Sequence, residues 1–267
     1  MSKKHQFHLV DPSPWPILVS FALLFCAIGF IFYIHDLRIG KYLLPISCIS
    51  LFITLFLWWR DVIQEGQNGH HSEVVKAGLK IGIIIFFISE TFLFASFFAT
   101  YFFSKINPVV ILDGIWDITI GKWPPAGITK INPWDLPFIN TLILLLSSNS
   151  VTWAIYEIET KNQKDSSLAL IITVMLGFLF LAFQIYEYHH AEFSMKDGIY
   201  GSNFYLTTGF HGLHVLIGAI FLLICYFRAK RGDFIKGSYL GVEFAAWYWH
   251  FVDLIWLFLF VFMYILD

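Results

Sequence analysis

Apolar residues follow one another along this chain in seven unbroken stretches, roughly 14–34, 42–59, 79–104, 137–156, 166–186, 203–228 and 240–266. Each comes close to or exceeds the run of about 20 residues that a helix needs to cross a bilayer. The stretches are continuous instead of alternating, which excludes a β-barrel. An all-α integral membrane protein with seven transmembrane helices is therefore predicted. The polar connections at 35–41, 157–165 and 229–239 are short, so the helices they join are expected to be antiparallel neighbours. The segment 60–78 is longer and polar, and it predicts a division into an N-terminal part, 1–73, with the first two helices, and a five-helix part, 74–267. The segment 105–136 carries Pro108, Pro124, Pro125 and Pro133 beside Trp116, Trp123 and Trp134. That composition suits a structured loop at the membrane interface.

Composition sharpens this picture. Of 267 residues, 58% are hydrophobic and only 13% charged, against about a quarter charged in a soluble domain. Thirty Phe and ten Trp exceed what one soluble core of this size can hide. A net charge of −2 excludes a general nucleic-acid binder, which needs a basic face. Cys26, Cys48 and Cys225 each stand alone in an apolar run, with no paired spacing, so neither a disulfide framework nor a thiolate metal cage is expected. The first apolar run is longer than a signal-peptide core and lacks a small-residue cleavage site, so it is expected to be retained. With the N-terminus inside, eleven Lys and Arg fall on the inner side and six on the outer. The bias predicts N-terminus inside, C-terminus outside.

A charged group at mid-bilayer costs about 2.5–3.5 kcal/mol even on the mildest scale, so each one asks for a reason. Glu90 lies mid-run with no basic residue within two turns. It is either a proton relay or regulatory proton site, or a protonated carboxyl bonded to another helix. His211 and His214 share one face of the sixth run. Glu243, His250 and Asp253 lie in the seventh, and Asp253, three residues after His250, is placed to orient that imidazole. These residues admit haem ligation, a metal centre, or a hydrogen-bond network that packs the sixth and seventh helices together. The spacing favours packing, because dinuclear sites want more carboxylates and two-haem cytochromes carry two His on each of two helices. Ser147, Ser148, Asn149, Ser150 and Thr152 look like polar glue between helices. Gly177, Gly209, Gly212 and Gly218 are expected to permit close helix contact. A self-contained b-type cytochrome and a seven-helix carrier are the competing functions; the last helix has no lysine for a retinal Schiff base. Trp58, Trp59 and Arg60, His70 and His71, and Arg228 gather at the inner membrane edge, where aromatic rings with cations beyond them suit anionic headgroups.

Together these segments resemble subunit 3 of cytochrome c oxidase, of the haem–copper family. The matching stretches are DPSPWP at 11–16, WWRDVIQEG at 58–66 with GHH at 69–71, FFISETFLFASFF at 86–98 and WPPAGI at 123–128. Others are VTWA at 151–154, Q-YEY at 184–188, DGIYGSNFYLTTGFHGLHVLIGAIFL at 197–222 and EFAAWYWHFVDLIWLFLF at 243–260. They run from end to end in the family's order. The resemblance implies a subunit with no haem, copper or other metal of its own and no catalytic residue. Haem a and copper then belong to partner subunits: a catalytic haem–copper subunit 1 and a subunit 2, with cytochrome c as electron donor. It implies two-helix and five-helix bundles forming a V-shaped cleft that holds structural phospholipids, with Trp59, Arg60, Glu65, His71 and Arg228 near their headgroups. It makes Glu90 the family's carbodiimide-reactive carboxyl, and it moves His211, His214, Glu243, His250 and Asp253 towards a structural polar network. Assembly, lipid retention, proton uptake and protection of turnover are the implied duties. The loop after Arg60 is a residue shorter than in animal members. His190 replaces a carboxylate that many relatives carry, which weakens any proton role there. Seven helices favour the cytochrome c-oxidising branch. The implied location is a bacterial inner membrane or, alternatively, the mitochondrial inner membrane.

Overall fold

A computed structural model describes residues 10–106, 123–125, 127–236 and 239–266. Lys3, Lys4, Pro108, Trp116 and Lys122 lie outside the described residues. Among the described residues eight α-helices follow in order: α1 (Trp15–Ile34), α2 (Gly40–Gln67), α3 (Glu73–Ile106), α4 (Leu136–Glu159), α5 (Gln163–His190), α6 (Gly198–Arg231), the short α7 (Asp233–Lys236) and α8 (Leu240–Leu259). All but α7 are long and apolar enough to span a membrane. The backbone of the last span widens into a π-helix at Phe260–Ile265. Two compact units result, Met1–Lys80 and Ile81–Asp267, with α3 running from the first into the second.

The helices outrun the apolar stretches that announce them. The membrane edge ends a hydrophobic run, but Arg60, Glu65 and their polar neighbours are adequate helix formers, so α2 continues eight residues beyond Trp59. Of the polar segment 60–78 only 68–72 leaves the helix. Gly69 stops α2 with φ +82°. The Gly69 amide bonds the Gly66 carbonyl at 3.3 Å and the His70 amide bonds that of Glu65 at 3.1 Å, the paired pattern of a Schellman C-cap.

In the first unit α1 and α2 form a tight hairpin. An alanine at Gly29 would put its Cβ 2.8 Å from the Leu44 nitrogen, and one at Gly40 would sit 2.4 Å from that of Tyr33. Backbone therefore touches backbone, the small-residue packing that membranes favour because hydrophobicity alone gives helices no reason to associate. The open end is pinned where Trp15 Nε1 donates to Asp61 Oδ2 at 2.7 Å. A bond to a charged acceptor is worth about 1.5–3 kcal/mol. Trp15→Phe is thus expected to speed amide exchange in the first turns of α1 by roughly tenfold, while the turn at 35–39 is unaffected. Mass-resolved hydrogen exchange on the membrane-embedded protein reads both.

The three cysteines are free, as the sequence led one to expect, yet two of them meet. Cys26 of α1 and Cys48 of α2 bring their sulfurs to 3.8 Å. They are 22 residues apart in sequence, and the hairpin folds that distance away.

The second unit is built around α8. Trp249 and Trp256 are wholly buried among α4, α5 and α6. A Cβ at Gly177 would lie 2.6 Å from Trp249 Cη2, and one at Gly218 would lie 2.9 Å from its Cε3. These two glycines make room for the indole between α5 and α6. Gly209 and Gly212 do not: a Cβ there meets nothing closer than 4.0 and 3.9 Å. The α3 segment of this unit approaches through long side chains, Phe87 stacking on Phe251 at 5.4 Å and Phe97 meeting Phe210 at 5.1 Å. The described part of the 105–136 loop is anchored, with Trp123 edge-on to Tyr101 at 5.7 Å and tilted against Tyr200 at 5.5 Å.

Candidate functional site

Inside the second unit, α3 and α6 meet at a carboxyl–imidazole pair. His214 Nε2 lies 2.8 Å from Glu90 Oε2. The two side chains are 9% and 18% exposed. The other ring nitrogen, Nδ1, is 2.6 Å from the Phe210 carbonyl. A carbonyl only accepts, so Nδ1 carries a hydrogen. One further proton then lies between Nε2 and Oε2. It rests on the carboxyl and is donated to a neutral imidazole, or it rests on an imidazolium that donates to a carboxylate. Either way the pair is neutral as a unit, which removes most of the cost of placing it in a membrane. Phe94 at 5.1 Å and Tyr248 at 6.4 Å pack around the imidazole. The residues are 124 apart, so no local pattern could have paired them.

A second network joins α4 to α8. Ser148 Oγ donates to Asp253 Oδ2 at 2.8 Å, and Thr152 Oγ1 is 3.2 Å from His250 Nε2. Trp249 Nε1 donates to Ser147 Oγ at 2.8 Å and Trp256 Nε1 to Thr141 Oγ1 at 2.9 Å. Two expectations are corrected. Asp253 is not hydrogen-bonded to His250: hydroxyls one turn apart on α4 bond one each, and Asp253 Oδ1 has no hydrogen-bond partner. Nor do the histidines tie the sixth span to the seventh by hydrogen bonds. His211 is fully buried with both ring nitrogens unbonded, tilted against Trp256 at 5.1 Å and edge-on to Phe180 at 5.6 Å. Glu243 sits half-buried in the first turn of α8.

A third carboxyl, Glu187, was not singled out in the sequence and is buried. Glu187 Oε1 accepts from Tyr264 Oη at 2.8 Å and from Gln184 Nε2 at 3.0 Å, while its Oε2 is buried without a partner. The signal was present, since Gln184 and Glu187 share one face of an apolar helix. Glu187 lines a cavity of about 290 Å³ together with His190, Tyr186, Asn132 and Asp135. Among the described residues, no three of His, Cys, Asp and Glu gather closely enough to hold a metal ion.

The membrane-edge residues fall into both units. In the first, Trp59 is 61% exposed, and Arg60, half exposed, reaches Asp61 Oδ1 at 3.0 Å. The His71 ring lies over Gly66, one residue beyond Glu65. In the second, Arg228 is only 17% exposed. Its Nε is 3.6 Å from Asp233 Oδ2 and its guanidinium is 4.6 Å from the centre of the Phe234 ring. Both guanidiniums are paired within their own units, but Arg228 is largely enclosed whereas Arg60 stays half exposed.

Comparison with known proteins completes the description. A family model described as cytochrome c oxidase subunit III matches residues 5–267. A Rickettsia prowazekii (strain Madrid E) protein named probable cytochrome c oxidase subunit 3 is 56% identical over 270 residues, spanning 100% of this chain and 97% of its own length. The cytochrome c oxidase subunit 3 of Prototheca wickerhamii is 49% identical over 263 residues, 98% of each chain. That of Arabidopsis thaliana is 47% identical over 264 residues, 98% of this chain and 97% of its own.

Proposed function

Because the chain belongs to the cytochrome c oxidase subunit III family, we propose that it serves the oxidase as a non-redox accessory subunit that supports assembly, lipid retention, proton uptake and sustained turnover. It is a subunit of the oxidase complex and a multi-pass inner-membrane protein. In this proposal dioxygen reduction with electrons from cytochrome c takes place in subunit 1, with subunit 2, where haem a and copper reside; the N-terminus faces inside and the C-terminus outside. The observation that supports the reading is that these intramembrane histidines have separate surroundings, two hydrogen-bonded and one enclosed by aromatic rings with its nitrogens unbonded. His214 is bonded through both nitrogens, His250 is bonded to Thr152, and His211 is wedged between aromatic rings. A bis-His haem would need two of these rings turned to a common iron with a porphyrin's width between them.

The test is a reduced-minus-oxidised spectrum of the tagged chain, purified gently from its own membrane. Haem a bands should accompany larger co-purifying subunits and vanish once this chain is stripped away alone. A b-type spectrum that stays with the isolated chain would overturn the proposal and make the histidines ligands.

Lipid retention rests on the edge residues Trp59, Arg60, Glu65, His71 and Arg228, considered within each unit. A basic side chain near an anionic surface contributes about 1 kcal/mol. Arg60→Ala is therefore expected to weaken retention of anionic phospholipid by the purified complex about fivefold, read by native mass spectrometry. Arg228→Ala should change it less, since that guanidinium is only 17% exposed and packs on Phe234, whereas Arg60 is half exposed. An equal loss from both variants would count against this division of roles.

A further inference from the structure

We infer that Cys26 and Cys48 form a dithiol site at the middle of the membrane, which apolar hydroperoxides close to an interhelix disulfide. The inference is independent of the function proposed above, since it rests on α1 and α2 alone. The two sulfurs are 3.8 Å apart, and both residues are half-buried and free. The helices carrying them are already in close backbone contact one turn away, where Gly29 lies against Leu44. A bond requires the sulfurs to close from 3.8 Å to about 2.05 Å. Cys26 lies eight residues before the end of α1, about 12 Å along the helix axis, which is close to the centre of a hydrocarbon layer of about 30 Å.

Depth decides which chemistry the pair can do. Binding a soft cation requires both thiols to ionise first, and forming two thiolates in the hydrocarbon is what the membrane opposes. A disulfide is neutral, and so are all the reactants that form it. An organic hydroperoxide, a class that includes the oxidised acyl chains found at this depth, transfers one oxygen to a sulfur. Its O–O bond breaks and it leaves as the alcohol. The sulfenic acid so formed is attacked by the second thiol, the S–O bond breaks, and water departs. Overall, two thiols and one hydroperoxide give one disulfide, one alcohol and one water. The two electrons come from the sulfurs, and both thiol protons end on oxygen. The neighbouring thiol acts as the resolving group, held at a high effective concentration by the hairpin.

The whole oxidase in its native membrane is treated with cumene hydroperoxide, denatured in N-ethylmaleimide and digested for mass spectrometry. Cys26 and Cys48 should lose alkylation together, appear as one cross-linked peptide pair, and regain alkylation after dithiothreitol. Cys225, which is buried and has its sulfur 4.0 Å from the Gly241 carbonyl, should stay a thiol throughout. In Cys48→Ser the resolving thiol is gone, so Cys26 should accumulate as sulfenic acid that dimedone traps. Persistent alkylation of both cysteines in the wild type overturns the inference, as does oxidation to separate sulfinic or sulfonic acids that dithiothreitol leaves unchanged. Equal dimedone trapping of Cys26 in the wild type and in Cys48→Ser also overturns it, because no resolving step then occurs.

Discussion

Gly177→Ala is expected to reduce recovery of this chain in the purified oxidase by fivefold or more, while Gly212→Ala leaves recovery unchanged. The added methyl carbon at position 177 would stand 2.6 Å from Trp249 Cη2, closer than carbon atoms tolerate. The indole has nowhere to retreat: Gly218 of α6 lies against its other edge, and its Nε1 is bonded to Ser147 at 2.8 Å. Overpacking of a well-filled core costs about 1–3 kcal/mol or more, and 1 kcal/mol is already about a fivefold change in a folding or assembly equilibrium. A methyl group at Gly212 meets Leu181 at an ordinary 3.9 Å. Trp249→Phe, which removes the outer ring carbons, should restore part of the loss in the Gly177→Ala background although it is harmful by itself. Two residues in direct contact are expected to be non-additive in this way. Equal recovery of Gly177→Ala and Gly212→Ala would show that α5 and α8 are not packed through the indole.

The contrast between those glycines shows where sequence alone reaches its limit. All four carry the same local signal, small residues in apolar helices, and only the rotation of each helix about its axis decides which of them meets a ring. The seven spans were legible because apolar length is a property of the sequence itself. Their ends were less so, since the bilayer boundary at Trp59 terminates the hydrophobic run but not the α2 hydrogen-bond ladder, which waits for Gly69. The widening of the backbone at Phe260 also has no counterpart in the apolar pattern.

Pairs were harder still, but not all equally. In an antiparallel hairpin, residues equidistant from the turn face each other, and Cys26 and Cys48 lie eleven positions either side of Leu37. Reading the cysteines by spacing to one another hid this; reading them by spacing to the turn at 35–39 would have shown it. Trp15 and Asp61 obey nearly the same symmetry. Glu90 and His214 obey no such rule, since their helices are not consecutive. Each was identifiable as a buried polar residue needing a partner, and the partner came only from the packing of α3 on α6. The hydroxyls of α4 lie between these cases: their role as glue was readable, but their register on Asp253 and His250 was not.

Replacing Glu90 should separate the pair's hydrogen bond from its proton. In Glu90→Gln the side-chain amide can still donate to His214 Nε2, so the contact and its volume survive with no dissociable proton between the two residues. Assembly is expected to be intact and labelling by a hydrophobic carbodiimide abolished, because the reagent needs a carboxylic acid. Glu90→Ala leaves His214 Nε2 buried and unbonded, at about 1–3 kcal/mol, and opens a cavity beside Phe94 that adds to the cost. Recovery of the complex should then fall about tenfold or more. His214→Ala has the opposite signature. The carboxyl loses the imidazole that shares its proton, is left in an apolar layer, and should label at least as fast as in the wild type. Carbodiimide labelling, complex recovery and the infrared carbonyl stretch of the protonated carboxyl read the three variants side by side. Should Glu90→Gln fail to assemble as badly as Glu90→Ala, a carboxylate paired with an imidazolium is what holds α3 to α6. The proton then belongs to His214 as part of the scaffold, and Glu90 has none to exchange.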